Sequence, residues 1–209
     1  MNILKHIQKL LNLKVQKNQG LLLACSTITG FLFCYISPRI QKEIVSNLPV
    51  EFLSIQSLWW CVSALLIGIV WKGTTRETAI KYFTVLALTE SFMGFCLGMY
   101  LVFIEYNVWI FAIGCLLYSS MVSIFVGKCI MCFESKLWQN REREDFDNTN
   151  SVVRGIVNCL GFGIALLAMP STRVAVFIWG VTCVVDDIGW IIIYNKNKDN
   201  ILKEDKKED

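Results

Sequence analysis

The sequence predicts an all-α polytopic membrane protein with six transmembrane helices and both termini in the cytoplasm. Three observations lead there. The 209 residues are 55% hydrophobic and 12% aromatic, an apolar share above that of ordinary soluble domains. Six nearly uncharged runs approach the roughly 20 residues a helix needs to cross about 30 Å of hydrocarbon. Lys and Arg are distributed very unevenly among the connections. Hydrocarbon offers no water to the backbone, so each run must satisfy its own N–H and C=O groups and is expected to be helical.

Residues 1–19 form a leader in which Ile3, Leu4, Ile7, Leu10 and Leu11 recur at helical spacing, largely separated by Lys5, Lys9 and Lys14. Two readings stand: a short amphipathic helix on the inner membrane surface, or a solvated basic segment that fixes topology. The leader is too polar for a cleavable signal, and no small-x-small pattern follows the first run before Pro38. The six runs are 20–36, 55–71, 82–104, 109–133, 152–169 and 174–194, and together they form one membrane domain, 20–194. The connections are too short to bury a core of their own. Residues 134–151, the longest inner connection, alternate charges around Arg141, Glu142, Arg143, Glu144 and Asp145, as a solvated helix face does. The tail, 195–209, mixes Lys with Asp and Glu, has few apolar residues, and is expected to be disordered.

With the N-terminus inside, seventeen of the 20 Lys and Arg residues fall on the cytoplasmic side, and only Arg39, Lys42 and Arg173 fall outside. This bias sets both termini in the cytoplasm of a cell-membrane protein. The net charge of +3 is a topology signal and gives no reason to expect nucleic acid as a partner. Tyr35, Trp59, Trp60, Tyr106 and Trp109 fall near the outer interface, and Trp71, Tyr82, Trp190 and Tyr194 near the inner one, where amphipathic rings settle.

Most of the nine cysteines lie inside the runs and act there as small apolar residues. Cys129 and Cys132 form a C-x-x-C at the inner end of the fourth run, without a second pair in any loop. The only histidine, His6, is distant from them, so no metal site or cofactor is expected. The segment from Asp145 superficially resembles a calcium loop, but Asn150 stands where such a loop needs glycine and Ile156 where it needs glutamate.

Lipid tails are as apolar as leucine, so helices in a bilayer associate through close contact, which small residues permit. Gly94 and Gly98 form a G-x-x-x-G in the third run. Gly155, Cys159 and Gly163 form a stripe on the fifth, and Gly161 with Ala165 a second. These residues serve either packing within the bundle or a dimer interface.

Three carboxylates carry the chemistry: Glu90, Asp186 and Asp187. An ionised residue at the bilayer centre costs at least about 2.5–3.5 kcal/mol on insertion scales. Counted from the inner ends of their runs, all three lie roughly 10–12 Å deep, in one layer of the inner half. No Lys or Arg shares that depth, and Arg154 is nearest in register. Such a layer can exchange protons or bind a cationic group. Alternatively, the acids are neutral packing elements or border a water-filled vestibule. No G-x-S-x-G, H-E-x-x-H, P-loop or dinucleotide fingerprint occurs, and no enzymatic activity is expected.

Six helices with both ends inside, a basic second connection carrying Gly73, Arg76 and Lys81, and a charged fourth connection leading into Arg154, Gly155, Gly161 and Gly163 resemble one half of a major facilitator superfamily transporter. The basic loop lacks that family's Asp, and the proline near the fifth-run glycines is displaced to Pro170. The resemblance implies a bundle like one six-helix half, pairing as a homodimer, with Arg76 and Arg154 as gating or loop-anchoring residues. The expected function is transport of a small solute, coupled to protons or a cation. The alternatives are a non-transporting accessory or immunity protein, or a substrate-capture subunit, that binds a partner membrane subunit.

Overall fold

The computed structural model describes residues 19–117, 123–138 and 140–205. These residues form seven helices: α1 (Gln19–Asn47), α2 (Val50–Lys72), α3 (Arg76–Phe103), α4 (Val108–Leu117), α5 (Ser123–Leu137), α6 (Asn140–Leu167) and α7 (Thr172–Asp205). The described residues contain no strand. The stretches Gln19–Asn47, Val50–Lys72, Glu77–Phe103, Arg141–Leu167 and Thr172–Asn197 are long and apolar enough to cross a membrane. The fourth expected run, 109–133, is seen as two helices, α4 and α5. Residues 118–122 between them, and residues 1–18 of the leader, lie outside the described residues.

Local chemistry sets the helix starts. The Thr75 hydroxyl accepts from Thr78 N–H at 3.2 Å and caps α3. Asn107 Oδ1 accepts from Trp109 N–H at 2.9 Å and from Ile110 N–H at 3.2 Å, which satisfies donors at the start of α4.

Two boundaries differ from the sequence expectation. α1 continues through Pro38 to Asn47, where the first run was expected to end at residue 36. A proline inside a helix removes one backbone bond, but Leu48 and Phe52 bury themselves against Ala112 with Ile44 alongside and hold the extension in place. α7 continues past residue 194 to Asp205, where disorder was expected. A helix already nucleated by packing propagates at low cost, and Asn197 Nδ2 donates to the Ile193 carbonyl at 2.8 Å. The alternating charges after Asn140 are the first turns of α6.

α7 is the centre of the bundle. It packs along α3 on one side and α1 on the other, and α1 packs in turn on α6. Glycines set each crossing. A Cβ on Gly98 would lie 2.9 Å from Gly180 Cα, and one on Gly189 would lie 3.0 Å from Cys25 Sγ. On α6, a Cβ on Gly161 would lie 2.6 Å from the Phe31 carbonyl of α1. The G-x-x-x-G of α3 therefore faces α7 inside the bundle.

Two aromatic clusters mark opposite ends of α3. At one end Phe83, Phe133 and Tyr194 pack together, with Phe133 and Tyr194 ring centroids 5.4 Å apart. The Tyr194 hydroxyl donates to the Ile80 carbonyl. At the other end Ile36, Leu101 and Val176 surround Phe111 and Trp179, whose rings meet edge to face at 5.5 Å. α4 thus packs at the Leu101 end of α3 and α5 at the Ile80 end. The outer faces of α2 and α6 are apolar and open, and Leu166 and Leu167 are 87% and 89% exposed. Such faces suit lipid rather than water.

Gly98→Ala is expected to lower stability by about 1–3 kcal/mol, because Gly180 is backbone and cannot move aside. Gly155→Ala, with no heavy atom within 4 Å of its added Cβ, should change stability by no more than about 0.5 kcal/mol. Thermal unfolding of the purified variants in detergent, followed by size-exclusion chromatography, measures both.

Candidate functional site: a charged groove along α1, α6 and α7

Successive residues on a helix point about 100° apart, and α7 uses this to send its two aspartates to different neighbours. Asp187 turns toward α3 and is 4% exposed. Its Oδ2 accepts from the Ser91 hydroxyl at 2.8 Å, and buried Glu90 lies close enough for the two acid groups to interact. Asp186 turns the other way, toward α1 and α6. Its Oδ1 lies 3.3 Å from the Thr29 hydroxyl. That hydroxyl has one proton and also faces the carbonyls of Cys25 at 2.9 Å and Ser26 at 3.2 Å.

Asp186 and Arg154 both line two adjoining hollows. One, of about 170 Å³, is walled by Thr29, Phe33, Trp179, Thr182 and Cys183. The other, of about 200 Å³, is walled by Leu22, Cys25, Ser26, Glu134, Phe146, Asp147, Asn150 and Trp190. Together they form a groove with α1 as its floor and α6 and α7 as its sides. Unlike Asp187, Asp186 is exposed, and so is Arg154; both open onto this groove.

Arg154 is seated by a glycine. A Cβ on Gly30 would lie 3.2 Å from Arg154 Cγ and Nε and 2.6 Å from the Asn158 amide. With its amide nitrogen turned inward, Asn158 donates to the carbonyls of Arg154 and Gly30 at 3.1 Å each. This polar seam joins α1 to α6 directly beneath the guanidinium.

The two ends of the groove differ. At the Tyr194 end, Trp138 packs on Phe146 at 5.3 Å and on Trp190 at 6.1 Å, bridging α6 and α7. Arg143 pairs there with Glu134 at 3.2 Å and approaches Asp147 at 3.9 Å. At the Trp179 end, Arg39 Nε donates to the Thr172 hydroxyl at 2.9 Å and Arg39 Nη2 to Glu43 Oε1 at 2.8 Å. This clasp ties α1 to the start of α7.

The structure therefore divides the expected layer of acids. Glu90 and Asp187 come together between α3 and α7, while Asp186 joins Arg154 across α7. Arg76 begins α3, and its side chain lies outside the described residues. Gly94 and Gly98 serve the α3–α7 crossing. Gly155 and Gly163 have nothing within 4 Å of an added Cβ and face away from α1. The sequence reading passed over Thr29 and Asn158, the polar neighbours of Asp186 and Arg154, and the Arg39 clasp. Their one signal was polarity inside an apolar run. Among the described residues, no group of three or more His, Cys, Asp or Glu side chains is disposed to hold a metal ion.

Burial pushes the Glu134 carboxyl above the usual carboxylate range, Arg143 opposes the rise, and Asp147 adds to it. A raised folded-state value means that the folded protein holds the proton more tightly than the unfolded chain. The stabilisation is complete below the ordinary glutamate value of about 4.3 and is lost as pH rises through the folded-state value. Glu134→Gln should flatten the thermal midpoint across that window in a pH series from acid to neutral.

Compared with models of known families, with curated proteins and with solved structures, the chain matches none of them.

Proposed function

We propose that this chain is a six-crossing protein of the cell membrane that moves a small solute and couples the movement to a proton or cation at its intramembrane carboxylates. The observation that carries this reading is that Asp186 and Arg154 line one hollow between membrane-length helices, with Asp187 of α7 and Glu90 of α3 buried behind it. Charged groups at that depth are costly, and intramembrane ionisable residues commonly mark solute and proton paths. The groove supplies a binding surface, and the acid pair behind it supplies a place for a proton.

Six crossings are supported by the packing of α4 at the Leu101 end of α3 and of α5 at the Ile80 end. α4 and α5 thus lie at opposite ends of α3, as the two parts of one crossing would. Cytoplasmic termini follow from the Lys and Arg bias. The groove then opens toward the cytoplasm past Glu134 and Asp147, and the Arg39–Glu43–Thr172 clasp closes its far end. Movement of α6 against α7 over α1, with the clasp opening, would give the solute access to the other side. If the chain is one half of a larger pathway, as the major facilitator likeness implies, two copies form it.

A second reading is favoured by one feature. The open face of Gly155, Cys159 and Gly163 on α6 permits close approach by a helix of another membrane subunit, as an accessory or immunity protein would need. The Gly94–Gly98 face offers no such surface, because Gly180 occupies it.

Two measurements test the transport reading. Reconstituted into vesicles with a pH-sensitive dye inside, the protein should move protons when given a panel of amino acids, amines and organic acids. Asp187→Asn and Glu90→Gln should reduce that movement at least tenfold while leaving the fold intact. No solute-driven proton or tracer movement across the whole panel would overturn the reading. Tags at the two ends of the chain should both be shielded from an impermeant reagent in intact cells, and labelling of either end overturns the proposed topology.

A further inference from the structure

We propose that the hollow shared by Arg154 and Asp186 binds a small zwitterion, with its ammonium group on Asp186 and its carboxylate or phosphate on Arg154. This deepens the proposal of a solute groove and rests on it for location only. The zwitterion is either a free solute or the headgroup of a zwitterionic lipid, since both present the same pair of charges.

The two residues face one space without closing on each other. Their charges interact, yet among the described residues no ion pair of 4.0 Å or less joins them. Arg154 lies over Gly30, and Asp186 Oδ1 lies 3.3 Å from the Thr29 hydroxyl. Opposite charges kept apart across a polar hollow leave donors and acceptors that a ligand can fill. A lone cation would satisfy Asp186 and repel Arg154, and a lone anion would do the reverse. A ligand carrying both charges satisfies both residues and leaves the site neutral. At the mouth, Arg143 already engages Glu134 and Asp147, so those acids compete less for the ammonium than their number suggests.

Size and walls agree with this class. At roughly 30 Å³ per water, hollows of about 170 and 200 Å³ each hold some half-dozen waters or a solute with a similar number of heavy atoms. Phe33 and Trp179 flank one hollow and Trp190 the other, and aromatic faces attract an ammonium. The lipid alternative has its own support. α6 and α7 each pack on α1 but scarcely on each other, and Phe33 at the groove's edge is 52% exposed. The groove therefore has a lateral opening between α6 and α7 through which a headgroup could enter.

The test is ligand binding by the full chain in nanodiscs, read by thermal midpoint and by tryptophan fluorescence from the groove walls. The soluble probes are 4-aminobutyrate, β-alanine and phosphoethanolamine, compared with propylamine and propionate, which carry one charge each. The discs are made of phosphatidylglycerol or of phosphatidylethanolamine. A saturable response to at least one soluble zwitterion in phosphatidylglycerol discs, at least tenfold tighter than to either single-charge probe, supports the free-solute form. A higher midpoint in phosphatidylethanolamine discs alone, lost in Arg154→Gln, supports the headgroup form. Single-charge probes binding as tightly as the zwitterions, or no response in either disc, overturns the proposal. In the variants, Arg154→Gln should shift preference toward the amine and Asp186→Asn toward the acid. Gly30→Ala, which removes no charge but displaces Arg154, should weaken the zwitterion at least tenfold. The panel on the unaltered chain decides the matter even if a variant does not fold. Zwitterion binding without flux overturns transport and leaves this site standing, whereas flux of a single-charge solute does the opposite.

Discussion

Carboxylates on long apolar helices must be given polar neighbours or access to water, and the arrangement of this protein follows from how α7 meets that demand twice in succession, burying Asp187 and leaving Asp186 open to a groove. Asp186 and Asp187 cannot point the same way. One is met by the Ser91 hydroxyl and lies beside Glu90. The other has Thr29 and a groove that contains Arg154. Because both neighbourhoods have to be supplied at the same depth, α7 needs protein on two sides, and it lies between α1 and α3 rather than at the edge of the bundle.

That position in turn requires small residues. Hydrophobic burial does not hold helices together in lipid, so contact has to come from close approach. Gly180 meets Gly98 on the α3 side and Gly189 meets Cys25 on the α1 side. The same device recurs at Gly161, where α6 rests on the backbone of α1, and at Gly30, where the missing side chain leaves room for Arg154. Glycine here does two jobs: it brings backbones together at the crossings, and at Gly30 it makes space for a charged side chain that would otherwise be pushed into the groove.

How far the sequence revealed this depends on the link of the chain concerned. Hydropathy and length found the long helices, because burial in lipid acts on each run separately. Counting residues from the helix ends put the three acids at a common depth and brought Arg154 near them in register. Direction around the helix was not legible, since it depends on which neighbour each face meets. Asp186 and Asp187 could be said to diverge, but not which of them would join Glu90. The four-residue spacing of Gly94 and Gly98 announced a close contact without naming Gly180 as the partner, and the similar stripe at Gly155 and Gly163 proved to face outward. Local rules also misjudged two ends. The first run was expected to end at residue 36 and the charged tail to be disordered, yet tertiary contacts around Leu48 and a helix already formed up to Tyr194 carry α1 and α7 onward.

In the proposed transport reading, one helix carries both halves of the coupling. The peptide bond between Asp186 and Asp187 lies between the two sites, so no long chain of side chains is needed to connect them. A ligand that pulls Asp186 toward Arg154 can act on α7 only by turning or shifting it against α1. Because the Gly98–Gly180 contact has no side chain to yield, that motion is passed to the α3 interface, where Asp187 meets Ser91 and Glu90. Altering that contact changes the relative cost of the charged and neutral acids, and so ties proton affinity to occupancy of the groove. Linkage of this kind is reciprocal: a proton taken up or released beside Glu90 must change the affinity of the groove by the same factor. On that reading, two adjacent aspartates in an apolar run place two binding events on one rigid element.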